Sequence, residues 1–232
     1  APLNSEKPPI HVAFCCDRGM LPGLYAAITS LLAHQTSPVI LWLYLQDLSP
    51  SEVRLIWKSA EKAQEIHEVD LDLSPCSRFR GLHGNQTAYA RLFLPENVDT
   101  RRLIYLDADT LCVGDLQPLW SSDLMGKSAA MVPVGTLGTK SEWEIYRQVG
   151  LAESRPQFNT GVILFDVEKW TTMESTARCL QFGDRFPDKL LTADQTCING
   201  ALNSQIMSLE SIWNVPCNHG KDIKPSPQAV IY

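Results

Sequence analysis

The chain has no long apolar run. No stretch approaches the roughly 18 consecutive apolar residues that a membrane-spanning helix needs, and no signal-like apolar core follows the N-terminus. Basic blocks are missing too: Lys and Arg number 20 against 26 Asp and Glu, for a net charge of −6. That argues against nucleic acid as a partner, because gripping a phosphate backbone takes a clustered positive face. The seven cysteines, an odd number, include no Cys-x-x-Cys spacing, and several lie in apolar runs such as Ala13-Phe14-Cys15-Cys16. They read as small buried hydrophobes in a reducing compartment, neither a disulfide framework nor a zinc site, which points to a cytoplasmic protein. Asn85-Gln86-Thr87 fits an N-glycosylation sequon, a pattern too short to outweigh that reading.

What is present has the balance of a globular domain: 232 residues, 44 % hydrophobic and 20 % charged, enough to bury a sizeable core. No repeat, low-complexity tract or linker divides residues 1–232, which read as a single domain. Residues 1–9 form a polar, proline-containing lead-in. Residues 10–16 read as a buried strand feeding Asp17-Arg18-Gly19. Leu24, Ile28, Leu31 and Leu32 recur at helical spacing, and residues 39–45 read as a second strand. Ser49-Pro50-Ser51-Glu52 predicts a helix with Ser49 as N-cap, running to about residue 64. Residues 66–73 alternate as a third strand would. Further on, the pattern predicts helices over 88–94, 174–182 and 192–201, and strands over 102–106, 129–133 and 161–165. Strands alternating with helices imply an α/β fold with a mostly parallel sheet. Ligands bind such sheets beyond the carboxyl ends of the strands, where Asp17 stands.

In Arg102-Leu103-Ile104-Tyr105-Leu106-Asp107-Ala108-Asp109 a buried strand runs straight into two acids. Residues two apart in an extended segment face one side, so the carboxylates of Asp107 and Asp109 are expected to converge while Ala108 turns away. Two adjacent carboxylates repel, and a divalent cation offsets that repulsion. Hard oxygen ligands favour Mg²⁺ or Mn²⁺, ions that often share their coordination sphere with a substrate diphosphate. An Asp-x-Asp pair also arises by chance in polar loops. Here the apolar strand leading in and the polar residues downstream set it apart.

Tyr89-Ala90-Arg91-Leu92-Phe93-Leu94-Pro95 is followed by Ile104-Tyr105-Leu106-Asp107-Ala108-Asp109-Thr110-Leu111 and Asp115-Leu116-Gln117-Pro118-Leu119-Trp120. Phe158-Asn159-Thr160-Gly161-Val162, Asp194-Gln195 with Asn199, and Trp213-Asn214 come next. In that order these segments resemble glycosyltransferase family 8, which includes bacterial lipopolysaccharide and lipooligosaccharide galactosyl- and glucosyltransferases and, more distantly, glycogenin. The resemblance runs from residue 10 to about residue 214. It implies a GT-A fold, a Rossmann-like nucleotide-binding mixed sheet flanked by helices. It further implies retaining, metal-dependent transfer of a hexose (galactose or glucose) from a UDP-sugar to a saccharide or glycolipid hydroxyl. The implied cofactor is Mn²⁺ or Mg²⁺, held by Asp107 and Asp109, where it would neutralise charge on the departing diphosphate.

Residue by residue, the resemblance implies that Asp17 accepts from the uracil N–H, with Cys15 also on the nucleotide side. Arg91 would reach the sugar-diphosphate region with its guanidinium fork, and the backbone of Ala108 would approach the ribose. Asn159 and Asp194 would hold hydroxyls of the transferred sugar, with Gln195 nearest the anomeric carbon. A glutamine amide is a poor nucleophile, so departure of the diphosphate with attack from the same face is favoured over double displacement. On that reading Asp194 and the amide oxygen of Gln195 stabilise an oxocarbenium-like species, and the leaving phosphate takes the acceptor's proton.

Plainer readings exist for the same residues. Asp17 could satisfy loop N–H groups, Arg91 could lie on a helix surface, and Asp194 and Gln195 could begin a helix capped by Thr192. The chain also departs from the family pattern. Gly19 and Met20 stand where many members carry an aromatic that stacks on the base, although Met20 could pack there. The family's third metal ligand, a histidine in His-x-x-Gly-x-x-Lys-Pro-Trp, is expected beyond Tyr232, in a tail that would also allow peripheral membrane contact. His219-Gly220-Lys221-Asp222-Ile223-Lys224-Pro225 imitates that motif one residue short and without the Trp. His11, His34, His67 and His83 carry no ligand spacing. Two other functions fit less well: a catalytically degenerate UDP-sugar-binding protein, and a haloacid-dehalogenase-type phosphatase. The phosphatase motif lies on the first strand and has Thr or Val where this chain has Leu111.

Overall fold

A computed structural model of the chain describes residues 7–82, 84–217 and 228–232. Its strands are β1 (Ile10–Asp17), β2 (Val39–Gln46), β3 (Glu65–Glu68), β4 (Arg102–Leu106), β5 (Ala129–Thr136), β6 (Pro156–Asp166) and β7 (Ile206–Ser208). The helices are α1 (Leu21–His34), α2 (Pro50–Ser59), α3 (Ala90–Phe93), α4 (Gln117–Trp120), α5 (Trp143–Gln148), α6 (Val167–Thr172), α7 (Ser175–Arg185) and α8 (Asp194–Leu202). All seven strands join one mixed sheet in the order β3-β2-β1-β4-β6-β5-β7. β1 pairs in parallel with β2 and β4, β2 with β3, and β5 with β7. β6 runs antiparallel to both of its neighbours.

β1, β2 and β4 are apolar over most of their length because both faces of the sheet are covered there. Alternation divides their side chains between two cores. Ala13, Cys15, Trp42, Tyr44, Leu103 and Tyr105 face Cys179, Phe182, Cys197 and Ile198 of α7 and α8. Val12, Phe14, Leu41, Leu43, Ile104 and Leu106 face Leu24, Ile28 and Leu31 of α1. All seven cysteines are free and six are buried, as their apolar settings predict. No helix among the described residues is long and apolar enough to cross a membrane.

Local chemistry set some boundaries and tertiary pairing set others. Ser49 caps α2 as expected: its Oγ accepts from Glu52 N at 3.3 Å, and Glu52 Oε2 accepts from Ser49 N at 2.6 Å. That helix stops at Ser59, short of residue 64, because the chain must turn so that Gln64 N can donate to Val39 O at 2.8 Å and open β3. β3 ends at Glu68, short of residue 73. Leu71 leaves the edge to join the core, and the Asp72 carboxylate takes the N–H and hydroxyl of Ser74 in a turn. β6 begins at Pro156, five residues ahead of the apolar stretch, because its polar first half pairs with β5. β7, α5 and α6, of three to six residues, are too short to show a period.

α7 and α8 meet with the Phe182 ring laid over Gly200, where an added Cβ would lie 2.2 Å from ring carbons. Gly200→Ala gains about 1 kcal/mol of helix propensity, but it overpacks a buried contact. The net expectation is a loss of about 1–2 kcal/mol, read from urea midpoints; an unchanged or higher midpoint would refute the contact.

Candidate functional site

Parallel pairing of β1 with β4 sets the carboxyl ends of these strands side by side. A cleft of about 700 Å³ opens there, lined by Cys15, Asp17, Met20, Asn85, Arg91, Tyr105, Asp107, Ala108 and Asp109, among others. Arg91 is its organising residue. Only 7 % exposed, Arg91 sits on α3 between the buried Ala90 and Leu92, so the helix delivers a cation to the interior. The guanidinium lies over the Tyr105 ring, 4.5 Å from its centroid. Nη2 is 2.9 Å from Asp107 Oδ1 and Nε is 3.2 Å from Asp194 Oδ2. Nη1 donates to the Thr160 carbonyl at 2.6 Å. Burial opposes the charge, but Asp107 and Asp194 outweigh it and hold the Arg91 pKa above its ordinary value. Burial also pushes the Tyr105 phenol well up, so the hydroxyl keeps its proton and donates to Asp107 Oδ1 at 2.8 Å.

Asp194 is 2 % exposed, and burial raises its pKa to about 6 against the opposing pull of Arg91. Its Oδ2 meets Arg91 as an ion pair but accepts no hydrogen bond. A buried carboxylate oxygen therefore keeps acceptor capacity in reserve. Gln195, next on α8, accepts from Thr160 N at 3.3 Å through Oε1. Asn199, one turn on, pins helix to strand: Oδ1 accepts from Phe158 N at 2.8 Å, and Nδ2 donates to the carbonyls of Phe158 and Gln195. Thr192 does not cap α8. The capping position falls to Ala193, which makes no side-chain cap, while the Thr192 hydroxyl reaches Glu142 at 3.0 Å.

Asn159 is oriented without ambiguity. Its Oδ1 accepts from Gly161 N and from Asn214 Nδ2, both at 2.7 Å, and a backbone N–H can only donate. The remaining amide group of Asn159 is a donor. Gly161 keeps this corner open, since a Cβ there would lie 3.0 Å from both Asn159 Oδ1 and Asp107 Oδ2.

The acidic pair reaches the cleft by a different route from the extended geometry expected of it. β4 ends at Leu106, and Thr110 closes a turn on the Asp107 carbonyl through its N–H (3.2 Å) and its hydroxyl (2.8 Å). The turn, not the strand pleat, places Asp107 and Asp109 on the cleft while Ala108 stays 4 % exposed. Two hard carboxylates on one wall suit a divalent cation that shares its coordination with a diphosphate. Among the described residues no group of three His, Cys, Asp or Glu could hold a metal. His219 and His83 lie outside the described residues. His11 stacks between Trp42 and Trp120, and His67 stacks on Trp42; neither they nor His34 line the cleft.

Asp17, at the end of β1, takes the N–H groups of Gly19 and Met20 on Oδ1 at 2.8 and 3.2 Å, and Asn85 Nδ2 on Oδ2 at 2.6 Å. The plainer reading of Asp17 as a loop cap thus describes its present contacts, and it also faces the cleft. The sequon asparagine Asn85 lines that cleft, with its amide nitrogen turned to Asp17. Sequence reasoning gave no site role to Asn85, Tyr105, Thr160 or Asn214. Tyr105 had a readable signal, its place two residues ahead of Asp107 on the same strand; the others are brought in from distant segments.

The model of the Glycosyl transferase family 8 matches residues 11–230. Among curated relatives, General stress protein A of Bacillus subtilis (strain 168) is 25 % identical over 215 residues, covering 88 % of this chain and 73 % of that protein. The probable galacturonosyltransferase-like 4 of Arabidopsis thaliana is 33 % identical over 183 residues, covering 71 % of this chain. The chain spans about half of that second protein, 52 %. Among solved structures, the galactosyltransferase LgtC in complex with donor and acceptor sugar analogues superposes with a TM-score of 0.77 at 21 % identity, over 88 % of this chain and 74 % of that one. A second structure of LgtC carries an active-site glutamine-to-glutamate substitution. The architecture is accordingly GT-A, and the phosphatase reading falls. Ordered motifs, a mixed GT-A sheet and a match spanning nearly the whole chain agree that this protein belongs to glycosyl transferase family 8.

Proposed function

We propose that the chain transfers a hexose from a UDP-sugar to a saccharide or glycolipid hydroxyl with retention of anomeric configuration, in a metal-dependent reaction. The observation that carries this reading is the buried Arg91, joined to Asp107 on one side and Asp194 on the other at the carboxyl ends of β1 and β4. A cation so placed serves a diphosphate on the Asp107 side while it orders a sugar-binding carboxylate on the Asp194 side. The solved LgtC complex with donor and acceptor sugar analogues lends the substrate class.

Asp107 and Asp109 are the residues that would hold Mn²⁺ or Mg²⁺, which when bound supplies charge neutralisation to a departing diphosphate. Asp17 offers its carboxylate to the uracil N–H, as it does to the Asn85 amide that donates to Oδ2, with Cys15 on the same wall. The Ala108 backbone stands where a ribose would approach. The spare oxygen of Asp194 accepts from a sugar hydroxyl, and the amide of Asn159 donates to another. Gln195 lies beside the anomeric carbon in this reading, in keeping with the active-site glutamine of LgtC. Neither side chain suits a double displacement: an amide is weakly nucleophilic, and Asp194 is committed to Arg91. Departure of the diphosphate with attack from the same face fits best, Asp194 and the Gln195 amide oxygen stabilising positive charge on the ring.

Donor hydrolysis with Mn²⁺ separates a transferase from a protein that only binds the nucleotide, since only the former slowly releases free sugar. Asp109→Ala is expected to abolish Mn²⁺-dependent donor binding and turnover; wild-type turnover in that variant would sink the metal assignment. The pKa of Asp194 sets a second expectation. Because its folded value, about 6, lies above its unfolded value, folding takes up a proton between roughly pH 4 and 6, and stability contributed at this site declines as pH rises through that window. The ionised form, present above about pH 6, is the one that supports positive charge on the sugar. Hydrolysis should therefore show an acid limb near pH 6. Asp194→Asn should remove the limb and lower kcat about 100-fold; a limb that survives the substitution assigns the titration to another group.

A further inference from the structure

We propose that Glu142 is a positioning residue that holds the turn carrying Asp194 and Gln195, a role that rests on the transferase reading above. Ala193, just before them, has φ +49° and ψ −118° and is 1 % exposed. Glycine adopts that conformation freely, whereas a Cβ makes it strained, and such strain persists only when the surroundings over-determine it. The surroundings are two threonines, one on each side of Ala193, and one carboxylate from a distant segment. Thr192 Oγ1 donates to Glu142 Oε1 at 3.0 Å. Thr196 Oγ1 lies 3.3 Å from the same oxygen and 2.9 Å from Thr192 Oγ1, and it accepts from Thr192 N at 3.1 Å.

Each hydroxyl owns one hydrogen and can accept two, and Thr196 Oγ1 already receives the Thr192 N–H. Whichever hydroxyl donates to the other, the remaining one donates to Glu142, so the chain of donors in this clasp ends on its carboxylate. Glu142 is 6 % exposed and stands immediately ahead of α5. Its carboxylate binds the threonine hydroxyls on either side of Ala193, so it acts through that turn. Desolvating a carboxylate opposes folding, and stability alone gives no reason to place one here. Its effect is to close residues 192–196 around the strained peptide. Asp194 is thereby aimed at Arg91 Nε and Gln195 at Thr160 N. Without the clasp Ala193 would relax to negative φ and turn both side chains away.

The test combines hydrolysis of UDP-galactose and UDP-glucose with Mn²⁺ and amide hydrogen exchange across residues 193–197, on the full chain. In Glu142→Leu, kcat should fall about tenfold or more while KM for the donor moves about twofold or less, and exchange at the turn should quicken about tenfold or more. Glu142→Gln keeps an acceptor oxygen and should stay within about threefold of wild type in both readouts. Adding Ala193→Gly to Glu142→Leu removes the strain and should bring kcat back to within about threefold of wild type. Unchanged kcat or unchanged exchange in folded Glu142→Leu, or a folded double variant with no recovery, overturns the proposal. So does a Glu142→Gln variant as impaired as the Leu variant. Should Glu142→Leu fail to fold, Ala193→Gly alone decides by its thermal midpoint: a rise supports held strain, and none refutes it. Absence of hydrolysis by wild type would refute the transferase reading instead, and the exchange measurements would still judge the clasp.

Discussion

A guanidinium buried between two carboxylates is the constraint around which the cleft is organised. Moving a cation out of water is tolerable only when it is paired and hydrogen-bonded. Arg91 meets that demand with Asp107, Asp194, the Thr160 carbonyl and the face of Tyr105. These partners come from the end of β4, the head of α8 and the middle of β6, so satisfying one charge ties three elements together. The same pairing couples the two acids. Asp194 lies 2 % exposed with a raised pKa, and Asp107 is shared between Arg91 and the Tyr105 hydroxyl. Removing either acid would leave Arg91 short of compensation, which makes the trio a unit and not three separate contributors.

Around that unit the site divides by chemistry. On one side stand the ends of β1 and β4, with Asp17, Ala108 and the acidic turn. Behind Arg91, set back from the residues that line the cleft, stand β6 and α8, with amides whose orientation is settled by backbone partners: Asn159 by Gly161 N, Gln195 by Thr160 N, Asn199 by both backbone groups of Phe158. Under the proposed function, polar side chains pinned in this way would lose little further freedom when a sugar binds, which is how fixed dipoles favour a charged transition state. The strained peptide at Ala193 belongs to this side, where backbone geometry has been bent to the needs of the residues that follow it.

Much of this was legible in the chain. Apolar runs over residues 10–16, 39–45 and 102–106 marked the central strands because a sheet covered on both faces needs no polar alternation. Ser49 and Glu52 announced a capped helix because a capping box is chemistry between neighbours, independent of the rest of the fold. Boundaries failed where distant partners set them. β3 stops where Leu71 is drawn into the core, and β6 starts early because β5 offers its polar half a ladder.

The division at the site follows the same line. Sequence alone singled out the residues proposed to carry chemistry: Asp107, Asp109, Arg91, Asn159, Asp194 and Gln195 stand in motifs whose order and residue types are local properties of the chain. Tertiary structure alone decided their geometry. It turned an expected extended acidic pair into a turn closed by Thr110, and it brought Asn85 to Asp17 and Asn214 to Asn159. It also set Thr160 against Arg91 and held Ala193 in a conformation its residue type disfavours. The physical reason is range. Residue type and spacing report what a side chain can do with its neighbours, whereas the pairing of a buried charge depends on which distant elements the packed core brings within hydrogen-bonding reach.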